Sequence, residues 1–251
     1  CQHQVELSGQ PRFDRAALAL MREECRVPLP SKALPGHLQG LDGLRVYVLP
    51  RVGVAYVMYV DPAEGKGRDY TATVVMEARG RQVVAVLEDN TREPQAHGAL
   101  AADLWEWYGK PLLGWERAKG EAIAWVLGQR GVTRVYQHED NPLSPQQRGL
   151  GLKPKLRPGF PMTEHSKRGL IDRLASAIEA HDVALPDRRT VEQCESYIVT
   201  ERMTTQASVG AHDDLVIALA GCVMLTEAPG AQSLAGERPP ASTLYRYKEP
   251  R

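Results

Sequence analysis

Three β-branched segments that follow one another closely constrain the fold of this chain most strongly. They are Val52–Val60, Tyr70–Glu77 and Gln82–Leu87, and short glycine-containing stretches separate them. The connections are too short for a parallel crossover, so the pattern predicts an antiparallel three-stranded meander. Pro62 has no backbone N–H to donate to a ladder, and it therefore ends the first strand at Asp61.

Helices and short strands alternate after the meander. Apolar residues at helical spacing predict four helices, over His97–Tyr108, Lys119–Gln129, Glu164–His181 and His212–Thr226. Short apolar runs predict strands at Leu113–Glu116, Arg134–Gln137 and Glu195–Arg202. This order favours an α/β fold, in which a mixed central sheet, the meander plus parallel strands, is flanked by helices.

The two ends of the chain differ in composition from its middle. Residues 1–45 hold one amphipathic segment, Arg12–Arg26, and then a Pro/Gly-rich stretch, which predicts a linker or lead-in with one helix. Residues 46–227 contain the sheet and helices of one predicted domain. Residues 228–251 are rich in Pro, Gly and Ala, and predict a mobile tail.

Charge and composition exclude some classes of protein. The chain of 251 residues has 31 Lys+Arg and 31 Asp+Glu, so a claim of nucleic-acid binding must depend on local patches. Its apolar runs are far shorter than the ~18–20 residues of a membrane span, so we expect no membrane partner. The four cysteines are scattered without a CxxC pair, which argues against a zinc ribbon and a disulfide scaffold.

Four acidic residues stand where α/β folds place their sites, at strand ends and helix starts. Asp61 ends the first predicted strand, Glu116 ends a later one, and Asp213 and Asp214 open the last helix. Carboxylates that meet within a few ångströms raise one another's pKa unless a cation compensates. All-oxygen ligands favour Mg²⁺ or Mn²⁺, and two such ions ~3.5–4 Å apart can hold both oxygens of a phosphodiester displacement.

Each acid alone also has an ordinary structural explanation. An Asp before Pro, as at Asp61, commonly forms a turn. Asp213 can cap its helix through backbone N–H groups, and Glu116 can be a solvated residue at the edge of the sheet. The prediction of phosphoryl chemistry therefore depends on all of them occurring in this order on these elements.

A basic stretch precedes the predicted helix at Glu164. Residues 141–163 contain no acid, and two more basic residues follow at the start of that helix. The six are Arg148, Lys153, Lys155, Arg157, Lys167 and Arg168. They predict a surface that follows DNA phosphates with little sequence preference, and a solvated basic loop is the alternative.

Four segments resemble motifs of one family, the large terminase subunits of tailed bacteriophages. VMYVDPAEGKGRDYTATVV resembles the first nuclease motif, and Asp61 and Asp69 match its two acids. PLLGWERAKGEAIAWVL resembles the second motif, with Glu116 at the end of a strand. Ala118 and Lys119 stand where the family often has an Asn two residues after that Glu.

The two later motifs extend the resemblance to roughly residues 45–226. PMTEHSKRGLIDRLASAI resembles the family's Thr…Lys…Leu-Ile helix, and Lys167 takes the place of the lysine. GAHDDLVIALAGCVML is similar to the third motif, in which His-Asp-Asp opens an apolar helix. Asp213 and Asp214 match these two acids.

The resemblance implies an RNase H-like fold and a metal-dependent DNA endonuclease that cuts concatemeric double-stranded phage DNA during genome packaging. It implies two Mg²⁺ or Mn²⁺ ions per site and two-metal-ion phosphodiester hydrolysis. Asp61 would be shared by both ions, Glu116 would hold one, and Asp213 or Asp214 the other. Asp69 would be a second-tier candidate for a metal ligand.

The resemblance also implies partners and a location. The chain has no GxxxxGK[ST] motif, so we expect no ATPase motor in it and expect the motor domain, the small terminase subunit and the portal as partners. The site of action would be the procapsid portal in the host cytoplasm. Two alternatives remain open: another RNase H-like nuclease, such as a junction resolvase or transposase core, and a non-catalytic DNA-binding or portal-docking domain.

Overall fold

The protein is an α/β structure, seen here in a computed structural model that describes residues 9–63, 70–199, 205–207 (backbone only) and 212–234. In chain order its elements are β1 (Gln10–Pro11), α1 (Arg15–Glu23), β2 (Leu44–Val46), β3 (Tyr56–Asp61), β4 (Thr71–Glu77), β5 (Val83–Asp89), α2 (Pro94–Trp107), β6 (Leu112–Trp115), α3 (Glu121–Gln129), β7 (Gln137–Glu139), α4 (Pro145–Gly149), β8 (Leu156–Pro158), α5 (Glu164–Glu179), α6 (Arg188–Glu195), β9 (Tyr197–Val199), β10 (Thr205–Ala207) and α7 (Asp214–Thr226).

The central sheet has five strands in the order β2-β5-β4-β3-β6. The pairs β2–β5, β5–β4 and β4–β3 are antiparallel, and β6 pairs parallel to β3. The predicted meander and mixed sheet are therefore confirmed. The first strand of the meander, β3, begins at Tyr56 rather than Val52. A turn comes before it, in which the N–H of Val54 donates to the carbonyl of Arg51 and Gly53 has a φ of 78°.

Each face of the sheet carries its own core. Along β3, Tyr56, Met58 and Val60 belong to the cluster that α2 and α3 cover, and the intervening Val57 and Tyr59 belong to the other cluster. This alternation follows from the two-residue repeat of a strand. The helices α5, α6 and α7, together with α1, cover the second face.

Helix α7 is the most deeply buried element of the second face. Every residue from Leu215 to Thr226 is buried, which explains why its sequence is apolar all round. The helix contacts β3, β4 and β6. Gly221 lies so close to the ring of Tyr59 that a Cβ there would be 2.3 Å from the Cγ of Tyr59, so only glycine allows this approach.

The first 45 residues contribute to the same core. Helix α1 begins at Arg15 rather than Arg12, because the side chain of Asp14 caps it by accepting a 2.7 Å hydrogen bond from the N–H of Ala17. Leu18 and Met21 are buried in the cluster that contains α5 and α6. The domain boundary at residue 45 stays a prediction.

The basic stretch over residues 141–163 contains regular secondary structure. Ser144 and Gln147 form a capping box that starts the short helix α4. Strand β8 pairs antiparallel with β7, which gives a β-hairpin from Gln137 to Pro158. The predicted strand at Arg134–Gln137 is reduced to a bridge, in which Val135 pairs with Leu113, followed by β7.

The later boundaries shift by a few residues. Helix α6 is an element that the sequence analysis does not include. Strand β9 ends at Val199, and residues 200–204 lie outside the described part. Most of the predicted tail, 235–251, also lies outside it. Within the described residues, no helix is long and apolar enough to cross a bilayer.

Candidate metal and nucleic-acid site

The parallel pairing of β3 with β6 brings Asp61 and Glu116 to one edge of the sheet. Val60 stands opposite Trp115 in the register, and the N–H of Glu116 donates to the carbonyl of Val60 at 3.3 Å. Both acids are nearly buried, at 9% and 7% exposed. The two strand ends are therefore direct neighbours in the sheet.

The start of α7 delivers Asp213 and Asp214 to the same region. Asp213 occupies the N-cap position but makes no side-chain capping bond. Instead its Oδ2 accepts a hydrogen bond from the Nζ of Lys167 at 3.1 Å. Asp214 accepts a hydrogen bond from the backbone N–H of Tyr70. The capping explanation for Asp213 is therefore wrong, because its carboxylate is bonded to Lys167 and makes no side-chain bond to the first turn of α7.

Electrostatics show that these acids share one environment. Burial raises the pKa of Asp61 well above its usual value, and the charges of Glu116, Asp214 and Asp213 raise it further, whereas Lys119 opposes them. Burial and the neighbouring Asp213 raise the pKa of Asp214 to about 6. The site therefore concentrates negative charge in a poorly solvated place, where a cation is favourable.

The acids interact but are not arranged as a ready-made metal site. In the described ranges, no group of three or more His, Cys, Asp or Glu side chains is placed to hold a metal ion. Asp213 is engaged with Lys167, so its carboxylate would have to change partner before it joined Asp61. The donor set nevertheless fits a hard divalent cation, because it consists of carboxylate oxygens.

The β7–β8 hairpin is fixed directly beside Glu116 by Arg117. The N–H of Arg117 donates to the carbonyl of Phe160 at 2.9 Å. Its guanidinium donates to the carbonyl of Pro158 at 3.1 Å, to that of Gly159 at 3.1 Å and to the Oδ1 of Asp140 at 2.7 Å. The hairpin base is therefore bonded to the residue that follows Glu116.

The structure divides the six predicted DNA-binding residues. Arg148 pairs with Glu139 and Arg157 pairs with Asp140, each at 3.1 Å, so acids just before the basic stretch offset part of its charge. Lys167 points to the acidic site. Lys153 and Lys155 are exposed on the hairpin, and neither forms an ion pair with another described residue. Arg168 is exposed on α5.

Three residues that support the site were missed by sequence reasoning. Arg117 anchors the hairpin, Tyr70 donates its backbone N–H to Asp214, and Gln193 accepts from the N–H of Leu215 at 2.9 Å. None has a local sequence signal, since each acts on an element that is distant in the chain or through its backbone. Asp69 lies outside the described residues.

Comparison with known proteins identifies the family. Residues 58–225 match the model of the Terminase RNaseH-like domain. The chain belongs to this family. The RNase H-like fold expected from the motifs is thereby confirmed. No curated protein matches the chain.

Solved structures of large terminase nucleases share the fold of this terminase RNaseH-like domain. The nuclease from thermophilic phage G20c with bound magnesium is 19% identical, with 82% of this chain and 96% of that chain covered and a TM-score of 0.59. A second structure of the G20c nuclease is 18% identical, with 83% and 97% covered and a TM-score of 0.58. The Thermus phage P74-26 nuclease domain is 17% identical, with 82% and 93% covered and a TM-score of 0.52.

Replacing Asp61 by Asn tests the electrostatic account. We expect Asp61→Asn to stabilise the protein at pH 7.5 in EDTA, by on the order of 1–3 kcal/mol in the free energy of unfolding, because it removes a buried charge next to three other acids. Chemical denaturation measures this. Asp182→Asn is the control, since its side chain is 61% exposed and should change stability by less than about 0.5 kcal/mol. Destabilisation by Asp61→Asn would contradict the account.

Proposed function

We propose that this domain is a metal-dependent endodeoxyribonuclease, a hydrolase that cuts concatemeric double-stranded phage DNA for a packaging terminase. The observation that supports the proposal is that the charges of Glu116, Asp214 and Asp213 all act on Asp61, in a chain of the terminase RNaseH-like family. The G20c nuclease that shares the fold has been solved with bound magnesium, which supports the same cofactor class here.

The proposed cofactor is Mg²⁺ or Mn²⁺, with two ions per site. Asp61 would contact both ions, Glu116 one, and Asp213 or Asp214 the other, with Asp69 as a second-tier ligand. When bound, divalent ions of this kind stabilise the negative charge that develops on the attacking and leaving oxygens of a phosphodiester. The buried position of Asp61 and Glu116 strengthens such interactions, because little water screens them.

Lys167 reduces the repulsion among the acids of the site while no metal ion neutralises them. Burial acts to lower its pKa, but Asp213, Tyr197 and Asp61 raise the pKa overall, so the ammonium stays charged. Its 3.1 Å contact with Asp213 offsets part of the repulsion between Asp213 and Asp61. The role first expected for Lys167, a phosphate contact, is therefore replaced in our proposal by charge compensation within the site.

The proposed DNA surface is the β7–β8 hairpin together with the start of α5. Lys153 and Lys155 are exposed on the hairpin, and Arg117 holds its base beside Glu116, so phosphates bound there would run toward the acids. Arg168 extends this surface, and Arg148 and Arg157 contribute with their charge partly offset. Such side chains contact the backbone and not base edges, so we propose binding with little sequence preference.

The packaging partners belong to the same proposal. We propose that the domain works with the terminase ATPase domain, the small terminase subunit and the portal, in the cytoplasm of the host. The family match favours this terminase role over a junction resolvase or transposase core. A non-catalytic DNA-binding or docking domain is the remaining alternative, and an activity assay separates it from a nuclease.

Cleavage of supercoiled plasmid tests the proposed activity. We expect nicking and linearisation in Mg²⁺ or Mn²⁺, none in EDTA, and a loss of at least about 100-fold in rate for Asp61→Ala and Glu116→Gln, because both acids lie in the charge cluster. Asp182→Asn should cut normally. Cleavage that survives both site variants would contradict the assigned site, and DNA binding without cleavage in any metal would support the non-catalytic alternative.

Replacing the two exposed lysines tests the DNA surface. We expect Lys153→Gln/Lys155→Gln to weaken binding to a short duplex and to reduce the slope of log K against log salt by about 2, because two phosphate contacts are lost. Fluorescence anisotropy in EDTA measures this without cleavage. Lys32→Gln/Lys110→Gln, which changes charge equally outside the hairpin, should leave the slope unchanged. An unchanged slope in the hairpin variant would place the DNA elsewhere.

A further inference from the structure

We propose that Gln193 positions the acidic end of α7, by capping that helix in place of Asp213 and so leaving the carboxylates of Asp213 and Asp214 available to the site. The inference depends on the proposed nuclease function for its consequence, but the hydrogen bonds that carry it are features of the fold.

The first turn of a helix contains backbone N–H groups that have no acceptor within the helix. A side chain at the N-cap usually accepts one of these bonds, and Asp is among the residues preferred there. Asp213 is at the N-cap of α7 and does not do so, because its carboxylate is bonded to Lys167. The N–H of Leu215 donates instead to the Oε1 of Gln193, at 2.9 Å and in a buried place.

The orientation of the Gln193 amide is fixed by its second partner. Its Nε2 donates to the Oε1 of Glu88 at 3.0 Å. The other oxygen of Glu88 accepts from Arg189 at 2.5 Å and from Arg45 at 3.4 Å. Because a carboxylate only accepts, the amide nitrogen must face Glu88, and the amide oxygen is left facing Leu215.

This pair of bonds explains why the residue is glutamine. Glutamate at this position would place a second carboxylate against Glu88, whose side chain is only 2% exposed. Leucine would remove both bonds and leave the buried N–H of Leu215 unsatisfied. Asparagine is one methylene shorter and cannot span the same two partners. Gln193 therefore matches a donor requirement on one side and an acceptor requirement on the other.

Helix α6 gives Gln193 a rigid base. Asp187 caps α6 by accepting from the N–H of Thr190 at 2.8 Å. The same carboxylate binds the Nε of Arg45 at 2.6 Å and the hydroxyl of Tyr47 at 2.5 Å, which lie in and just after β2. A continuous series of bonds thus joins the edge of the central sheet, through α6 and Gln193, to the first turn of α7.

The consequence of losing Gln193 follows from the position of Asp213. The acceptor best placed to replace the amide oxygen is the carboxylate of Asp213, since it stands at the N-cap. If it turned to cap the helix, it would leave Lys167 and the acidic site. A cap contributes only about 1 kcal/mol to stability, but a displacement of about 1 Å at a catalytic group can cost on the order of 100-fold in rate.

The test compares Gln193→Leu with Thr226→Val, a matched change at the other end of the same helix. Thr226 is also buried, accepts from Arg81 at 3.1 Å and donates to the carbonyl of Val223 at 2.7 Å. We expect both variants to lose some stability. Only Gln193→Leu should speed hydrogen exchange at the Leu215 amide, weaken Mn²⁺ binding about 10-fold or more by calorimetry, and lower the plasmid cleavage rate at saturating DNA.

A donor–acceptor exchange keeps the test decisive if Gln193→Leu does not fold. Gln193→Glu alone should weaken Mn²⁺ binding, because the new carboxylate would face the carboxylate of Glu88 and be repelled by it. The double variant Glu88→Gln/Gln193→Glu restores one donor and one acceptor in the reverse order, and should recover both Leu215 protection and Mn²⁺ affinity. Recovery would support positioning by this pair.

Two other outcomes separate this inference from the proposed function. Unchanged Mn²⁺ affinity in a folded Gln193→Leu protein whose Leu215 amide exchanges rapidly would overturn the inference and leave the nuclease proposal standing. A wild-type protein that neither binds Mn²⁺ nor cuts DNA would overturn the proposed function, and the positioning role with it.

Discussion

Mutual repulsion among buried carboxylates is the constraint on which the rest of the site depends. Asp61 and Glu116 are almost buried, and Asp213 and Asp214 are close enough to raise the pKa of Asp61. Such an arrangement is unfavourable unless the surrounding structure enforces it or a cation offsets it. Lys167 supplies one positive charge at 3.1 Å from Asp213, and the charge of Lys119 also acts against the raised pKa of Asp61.

Packing of α7 against the sheet is what enforces this arrangement. The helix is buried along its whole length, and Gly221 allows it to lie directly on the ring of Tyr59. The parallel pairing of β6 with β3 then aligns Glu116 with Asp61, and the bonds of Gln193 fix where α7 begins. Because three rigid elements, β3, β6 and α7, place these acids, repulsion cannot be relieved by a local shift in one loop.

The sequence alone predicts the parts of this account that depend on local pattern. Alternating and β-branched residues indicate the meander, and the apolar run after Asp214 indicates a buried helix. The order of the acids on strand ends and a helix start suggests one site. The pattern places the start of β3 too early, at Val52, because Val52 and Val54 have β-branched side chains. Gly53 between them adopts a turn with a φ of 78°, and the strand begins at Tyr56.

Contacts between distant elements could not be predicted in this way. Lys167 and Asp213 are 46 residues apart, and Gln193 and Leu215 are 22 apart. Glu139 and Asp140 lie just before the acid-free stretch. Their ion pairs with Arg148 and Arg157 depend on the pairing of β7 with β8, which the sequence does not indicate. Such pairs depend on tertiary placement, for which neither composition nor periodicity carries a signal.

A crystal structure with Mn²⁺, measured at a wavelength where manganese scatters anomalously, tests the central claim most directly. The account predicts anomalous peaks in contact with carboxylate oxygens of Asp61 and Glu116, with Asp213 or Asp214 completing the site and Asp213 released from Lys167. Manganese bound only elsewhere, or no peak between β3, β6 and α7 at millimolar Mn²⁺, would contradict it.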